Sequence, residues 1–578
     1  MKYLDVVMEN RKIGTMLKSP VYKVSIISNI TIVPLKDILE LSLRKEGINA
    51  EVTLGDYDSV VQDSIRFASF DAVIVIWEAV NFINGLHYCA ENLTARERKD
   101  FRQKMEAEVR LVMANLRNTP LVIVNNFSAA SSEKNFALDF GFLDQLCLGL
   151  NQTLKETAHP NQVIVDIEKI LITLGISDAI DYRQFQQTKS LYTFGFFEIY
   201  AESIKPAFMS ALGRAKKILV LDCDNTLWGG VIGEDGLEGI KLSDTDSKGS
   251  IFLEIQTLIK VMRKRGVILA LCSKNNSHDV DNVIHKHPYM VIKDDEIVLK
   301  KVNWKDKAQN INEIAVELNI GLDSFVFIDD SPFEIELVKA ALPQVTCYKV
   351  PENLSEYPNL IKKIMPHFYS LSSTLEDSTK TDMYKAESAR KSEISSYETL
   401  EDYLVGLGLE LEIAKGNNIP IERVAQLTQK TNQFNLTTKR YTEADIRNML
   451  ADDSYEIFCF NLSDRFGNYG VTGLAIISFY EVDNKLTALF DSFLMSCRVI
   501  GRTVEKQFFY EILKDLRNKS VYYLVSNYFA TPKNSQVKNF YESIGFIVYS
   551  NKDGKKDYQI ELNQVALEKV PYIRVIGD

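Results

Sequence analysis

Runs of consecutive apolar residues, separated by helix-length stretches of mixed character, mark the first two thirds of the chain. Val24-Ser25-Ile26-Ile27, Ala72-Val73-Ile74-Val75-Ile76, Leu121-Val122-Ile123-Val124 and Val163-Ile164-Val165 read as strands buried in a parallel sheet. Between them, Leu35 to Leu43 and Glu106 to Leu116 carry helical periodicity, so residues 1–205 predict a doubly wound α/β domain. A second α/β unit, residues 206–370, holds the runs Ile218 to Leu221, Val267 to Leu271 and Phe325 to Ile328. Each of these ends in a polar cluster, where ligands meet the carboxyl ends of parallel strands. Residues 371–400, rich in Ser, Thr, Glu and Lys, predict a solvated linker or an exposed helix. Over 401–578 the pattern is α+β. It has strands at Tyr469 to Phe479, Leu486 to Met495 and Val521 to Val525, and helices near Thr503 to Leu516 and Ser535 to Ser543. The fold class expected is multidomain α/β, two doubly wound parallel-sheet units followed by an α+β domain.

Composition adds mostly exclusions. A chain of 578 residues exceeds one core and implies about three to four domains. The net charge of −11 argues against non-specific nucleic-acid binding. No apolar stretch is long enough to span a bilayer. Met1 to Asp5 lacks the apolar core of a signal peptide. Seven cysteines without CxxC spacing indicate neither a disulfide framework nor a zinc site, and a reducing cytoplasm is the expected location.

The strongest chemical signal follows the strand Ile218 to Leu221: Asp222-Cys223-Asp224-Asn225-Thr226-Leu227-Trp228-Gly229-Gly230. Two carboxylates two positions apart at a strand end can divide labour, Asp222 attacking phosphorus and Asp224 moving the proton. A phosphate beside carboxylates needs positive charge, and Mg2+ suits an all-oxygen site. Further along, Ser273 can donate to a phosphate oxygen, with Asn225 and Thr226 as additional phosphate-binding candidates. Lys307 can neutralise charge there, and Asp329 and Asp330 join Asp222 and Asp224 as metal ligands, with Glu334 in support. The spacing leaves no room for a large cap domain between these segments.

This layout resembles the HAD superfamily. The wording of residues 224–236, Ser273-Lys274-Asn275 and Phe327-Ile328-Asp329-Asp330-Ser331-Pro332 resembles its FkbH-like branch. That resemblance favours Lys307 over Lys305, since the family's lysine stands just before a helix. It also implies an SGNH-hydrolase-like N-terminal domain. Ser28-Asn29-Ile30-Thr31 lacks the Gly-Asp-Ser of a working hydrolase, and Asp166 lacks a histidine three residues on. A scaffold or docking surface is therefore expected of residues 1–205, with His87 and His159 as ordinary histidines.

The C-terminal domain resembles the GNAT fold at Arg498-Val499-Ile500-Gly501-Arg502-Thr503 and at Asn539 to Phe546, although Thr503 stands where the coenzyme A turn wants Gly or Ala. Cys497, beside Arg498 and near a helix start, has the surroundings of a reactive thiol. FkbH-like proteins of polyketide pathways are described as glyceryl transferase/phosphatases, which implies passage of a glyceryl unit from 1,3-bisphosphoglycerate through a cysteine thioester to an acyl carrier protein. Cys497 is the candidate for that thioester. Cys223 is its rival, with alternation placing its side chain opposite the aspartates. Lys430 to Asn435 with Lys439-Arg440 could receive the carrier or its phosphopantetheine. The alternative is a HAD phosphatase or phosphotransferase acting on a sugar or other phosphorylated metabolite of surface-polysaccharide assembly, with no need of Cys497.

Overall fold

The computed structural model describes every residue except 1, 2, 18, 84, 131–140, 372–382, 384–389, 391–396, 398, 532, 553, 566, 577 and 578, and only the backbone of His87 and Asn417. The chain forms two compact units, residues 1–211 with 442–445, and residues 212–441 with 446–578. No described helix is long and apolar enough to cross a membrane.

The first unit is a parallel five-stranded sheet of order β2-β1-β3-β4-β5, from β1 (Tyr22–Ser28), β2 (Ala50–Leu54), β3 (Ala72–Ile76), β4 (Leu121–Asn125) and β5 (Gln162–Val165). β3 and β4 are fully buried, as their unbroken apolar runs require. The edge strand β5 is only half-buried, against the expectation of a buried strand, because it has one neighbour and not two. The helices Val33–Lys45 and Ala95–Asn115 cover the two expected periodic segments. The second extends eleven residues upstream to a Thr94/Glu97 capping box.

The second unit opens with another parallel sheet, β6 (Ile218–Leu221), β7 (Ile268–Ser273), β8 (Leu299–Val302), β9 (Phe325–Asp329) and β10 (Thr346–Lys349), in the order β10-β9-β6-β7-β8. Alternation along the central strands divides its core in two. Leu219, Leu221 and Cys223 pack with the helices Ser247–Lys264, Ser277–Lys286 and Tyr357–Ile364. Ile218 and Val220 pack with Lys307–Leu318 and Pro332–Ala341. Asp222 continues the parity of the second set, which directs it toward the helix that begins with Lys307.

The chain then builds a nine-stranded mixed sheet: β11 (Leu409–Lys415), β12 (Phe434–Asn435), β13 (Tyr455–Asp464), β14 (Gly467–Val482), β15 (Lys485–Met495), β16 (Tyr523–Phe529), β17 (Ile547–Lys552), β18 (Lys555–Glu561) and β19 (Ile573–Ile576). Its parallel pair β15–β16 is joined only over Thr487–Phe490 and Tyr523–Ser526. Beyond that point a loop bridges the two strands. Phe434 and Asn435 pair with Met495 and Leu494, Leu436 N–H donates to Phe493 O at 3.2 Å, and Phe529 N–H donates to Leu436 O at 2.9 Å. The helix expected over Ser535 to Ser543 is instead two short turns, Ser535–Val537 and Phe540–Ser543. Most of the expected linker 371–400 lies outside the described residues. Arg390 within it is buried, not solvated, forking onto both Asp464 oxygens at 2.7 Å each.

Candidate active site

The carboxyl ends of β6, β7 and β9 lie side by side and bring together residues from four separate segments. Asp222 follows β6, Ser273 ends β7, Asp329 ends β9 with Asp330 next, and Lys307 opens the helix on that face. One oxygen each from Asp222, Asp329 and Asp330 lies within 4.8 Å of the others. The Lys307 ammonium is 2.5 Å from Asp329 Oδ2 and 3.1 Å from Asp222 Oδ1. Burial works against that charge, but the two carboxylates outweigh it and raise its pKa. Lys305 turns away, 3.4 Å from half-buried Glu313, so Lys307 is the lysine of the site.

Burial dominates the carboxylates. It pushes Asp222 up to about 6, opposed by Lys307 and reinforced by Asp329. Asp329 and Asp330 are likewise raised, first by burial. Asp222 Oδ1 is buried and accepts no hydrogen bond among the described residues, its contact with Lys307 being an ion pair outside hydrogen-bonding geometry. Three converging carboxylates with one oxygen left unsatisfied suit a hard divalent cation that keeps some water.

Asp224 is held differently. Its Oδ1 accepts from Trp228 Nε1 at 2.9 Å and Ile232 N at 3.1 Å, and its Oδ2 from Asn275 Nδ2 at 2.9 Å. Of the four carboxylates expected to bind a metal, three converge, and the Asp224 side chain is held by these donors instead. The indole of Trp228 is fully buried, and its hold on Asp224 is not legible in the motif despite the i+4 spacing. Ser273 Oγ accepts from Asn275 Nδ2 at 3.1 Å. Asn225 takes the left-handed conformation, φ 53°, and its Oδ1 receives Gly230 N–H at 2.9 Å, a turn-forming use of the side chain. Thr226 is fully buried, and its hydroxyl has no partner among the described residues. Glu334 receives Lys274 at 2.6 Å. The segment between β6 and the helix Ser247–Lys264 contains only the short helical turn Ile232–Gly239, so it supplies no cap domain.

The two cysteines part company. Cys223 is completely buried among Leu219, Leu221 and Leu227, and burial raises its thiol well above the ordinary value. Cys497 is half-buried and begins a single 3-10 turn, Cys497–Val499. The helix expected near Thr503 starts at Val504, with Thr503 as its N-cap. The Cys497 carbonyl accepts from Asn319 Nδ2 at 2.7 Å. Asn319 caps the carboxyl end of the helix Lys307–Leu318, so Cys497 and Lys307 stand at opposite ends of one helix, about 18 Å apart at 1.5 Å per residue.

Other contacts repeat that placement. Lys217 Nζ donates to Lys430 O at 3.2 Å, Asn432 Nδ2 donates to Gly213 O at 3.3 Å, and Lys533 pairs with Asp323. All three touch the amino edge of the β6–β10 sheet, opposite the edge that carries Asp222. Part of the basic cluster expected to greet a carrier protein is engaged within the protein. Arg440 is turned inward onto Thr431 O at 2.8 Å, and Lys439 is paired with Asp491. Thr503 adopts φ 55° and hydrogen-bonds Tyr572 at 2.6 Å, while Arg498 and Arg502 are buried.

In the first unit, Asn29 and Glu78, at the ends of β1 and β3, exchange hydrogen bonds: Asn29 Nδ2 to Glu78 O at 2.9 Å and Glu78 N to Asn29 Oδ1 at 2.8 Å. Burial pushes the Glu78 carboxyl up to about 7. The sequence reading missed Glu78, which no motif marks.

No family model matches the chain, and no curated protein matches it. Among solved structures, it is similar to the N-terminal part of the protein BF1531 from Bacteroides fragilis, described as containing a phosphatase domain complexed with Mg. The two are 26% identical, with a TM-score of 0.57, over 64% of this chain and 100% of that one. An acetyltransferase of the GNAT family from Desulfovibrio desulfuricans matches 26% of this chain and 99% of its own at 15% identity and a TM-score of 0.21. The ribosomal-protein-S18-alanine N-acetyltransferase of Escherichia coli matches 28% and 99% at 14% and 0.21. Likenesses so slight bear on no residue's role. The chain is a multidomain α/β protein.

Proposed function

We propose that this chain is a magnesium-dependent phosphoryl-transfer enzyme of the HAD type that releases phosphate from a phosphorylated small molecule. The observation that carries the reading is the meeting of Asp222, Asp329 and Asp330 around one point, with Lys307 buried against two of them. The 26%-identical structure with its magnesium-bound phosphatase domain supports the choice of cation and reaction. Asp222, Asp329 and Asp330 would hold the ion, which supplies charge neutralisation for an incoming phosphate.

The chain's own groups divide the chemistry. An Asp222 oxygen attacks phosphorus, forming the aspartyl-phosphate as the bond to the leaving oxygen breaks. Asp224 gives that oxygen a proton, then takes one from the water that cleaves the intermediate and frees phosphate. Its three donors hold Asp224 in one orientation for both transfers. Lys307 keeps the charge of the buried carboxylates balanced, and Ser273 offers a hydroxyl to a phosphate oxygen.

The FkbH-like resemblance supports a finer reading, glyceryl transfer through a cysteine thioester to an acyl carrier protein. Here the separation of Cys497 from Lys307 weighs against direct handover, since a three-carbon acyl phosphate cannot reach across about 18 Å. A thioester at Cys497 would need its own substrate position or a long carrier arm, and Cys223 is shut in the core. Phosphatase or phosphotransferase action on a sugar phosphate or other phosphorylated metabolite needs neither cysteine, and it is the reading the site favours. The test is phosphate release from an aryl phosphate with and without magnesium, for wild type and Asp222→Asn. Release without magnesium, or undiminished in the variant, overturns the proposal.

A further inference from the structure

Lys307 is already committed to two carboxylates, so a substrate with more than one anionic group needs another cation. Lys274 stands next to Ser273 at the end of β7. Its ammonium is fixed 2.6 Å from Glu334 Oε1, yet its side chain remains 34% exposed. Glu334 lies in the first turn of the helix Pro332–Ala341, directly after Asp329 and Asp330. The ion pair therefore joins the loops after β7 and β9, the two strands that flank Asp222's strand. An ammonium has three N–H groups. Among the described residues Glu334 is the one partner of Lys274. Glu334 Oε2 is buried with no hydrogen bond among those residues. The result is a partly exposed cation paired with a buried carboxylate, with donors to spare, one residue beyond Ser273.

Resting on the phosphatase reading, we infer that Lys274 is a specificity-determining residue. It receives a second anionic group, carboxylate or phosphate, on a substrate whose first phosphate lies at Asp222. Glu334 is its positioning partner. The charge count agrees, because the five carboxylates of Asp222, Asp224, Asp329, Asp330 and Glu334 still outnumber the charges of Lys307, Lys274 and one divalent ion, so a second anionic group gains from a cation beside it. Lysine suits this task, as a compact charge that can pivot between Glu334 and a ligand of variable shape.

The experiment compares methylphosphonate, with one anionic group, and phosphonoacetate, with two, by calorimetric titration of the magnesium-loaded full chain. Lys274→Met is expected to weaken phosphonoacetate about tenfold more than methylphosphonate, and Lys274→Arg to restore most of the difference (one charge-assisted hydrogen bond's worth). Matching thermal melts of the variants exclude a folding defect. Equal weakening of both ligands, or none, overturns the inference. The wild type's magnesium-dependent hydrolysis of an aryl phosphate is measured alongside. Its absence defeats the phosphatase reading, whereas its presence with equal ligand weakening defeats the role of Lys274 alone.

Discussion

Asn319 donates its side-chain amide to the carbonyl of Cys497, 2.7 Å away, from the far end of the helix that Lys307 begins. The helix is in effect a spacer between the thiol and the aspartates. The first prediction follows: Cys497→Ala releases phosphate at a rate within about twofold of wild type, because that residue meets the end of the helix opposite Lys307. A steady-state assay decides it. A loss of tenfold or more would mean that the thiol acts in the same reaction after all.

Removing Lys307 exposes the opposite dependence. Lys307→Met leaves Asp222 and Asp329 buried together without their cation, a change that costs about 3 kcal/mol in such settings. The expected result in urea unfolding with chelator is a lowered midpoint, part of which magnesium restores by taking up the same carboxylates. A variant as stable as wild type without magnesium would show the pair to be energetically idle.

Trp228 is expected to matter through Asp224. Trp228→Phe keeps the ring and removes one of three donors to that carboxylate, which at about 1.5 kcal/mol for a hydrogen bond to a charged group corresponds to roughly a tenfold fall in kcat. If KM rises and kcat stays, Trp228 shapes binding and not the proton's position.

Glu78 makes the first unit's stability depend on pH. Its folded carboxyl, raised to about 7 by burial, keeps a proton that the unfolded chain sheds near 4.5. The stability this gives is complete below pH 4.5 and is lost as pH rises through 7, a swing of roughly 3 kcal/mol as an upper figure. Glu78→Gln should flatten that slope and unfold later than wild type at pH 8. Denaturant titrations from pH 4.5 to 8 measure it, and parallel slopes for the two proteins would refute the assignment.

How much was legible from sequence depended on what each residue faces. β3, β4, β6 and β9 are buried on both sides, so their apolar runs stand out. β8, Leu299-Lys300-Lys301-Val302, and β10, Thr346-Cys347-Tyr348-Lys349, are half-buried edges whose lysines belong to ion pairs, and nothing in their composition separates them from loops. β12 is two residues long and exists only because its partners are in place. At the site, the aspartates and Lys307 were visible because their chemistry fixes their spacing from strand ends. The grip of Trp228 and Asn275 on Asp224 was not, nor the inward turn of Arg440, since a basic residue reads alike whether it faces water or a ring of carbonyls. The distance from Cys497 to the aspartates is a tertiary fact with no local trace.

The bridge at Phe434–Leu436 has a consequence for how the C-terminal domain can be cut. Phe493 O and Phe529 N belong to strands that no longer touch one another, and Leu436 satisfies both. A fragment beginning after residue 436 would carry two raw sheet margins in the middle of its sheet, each offering unpaired backbone to any extended peptide. Such a piece would gather into aggregates or capture a neighbour's strand, whereas one beginning before residue 409 carries its own seam.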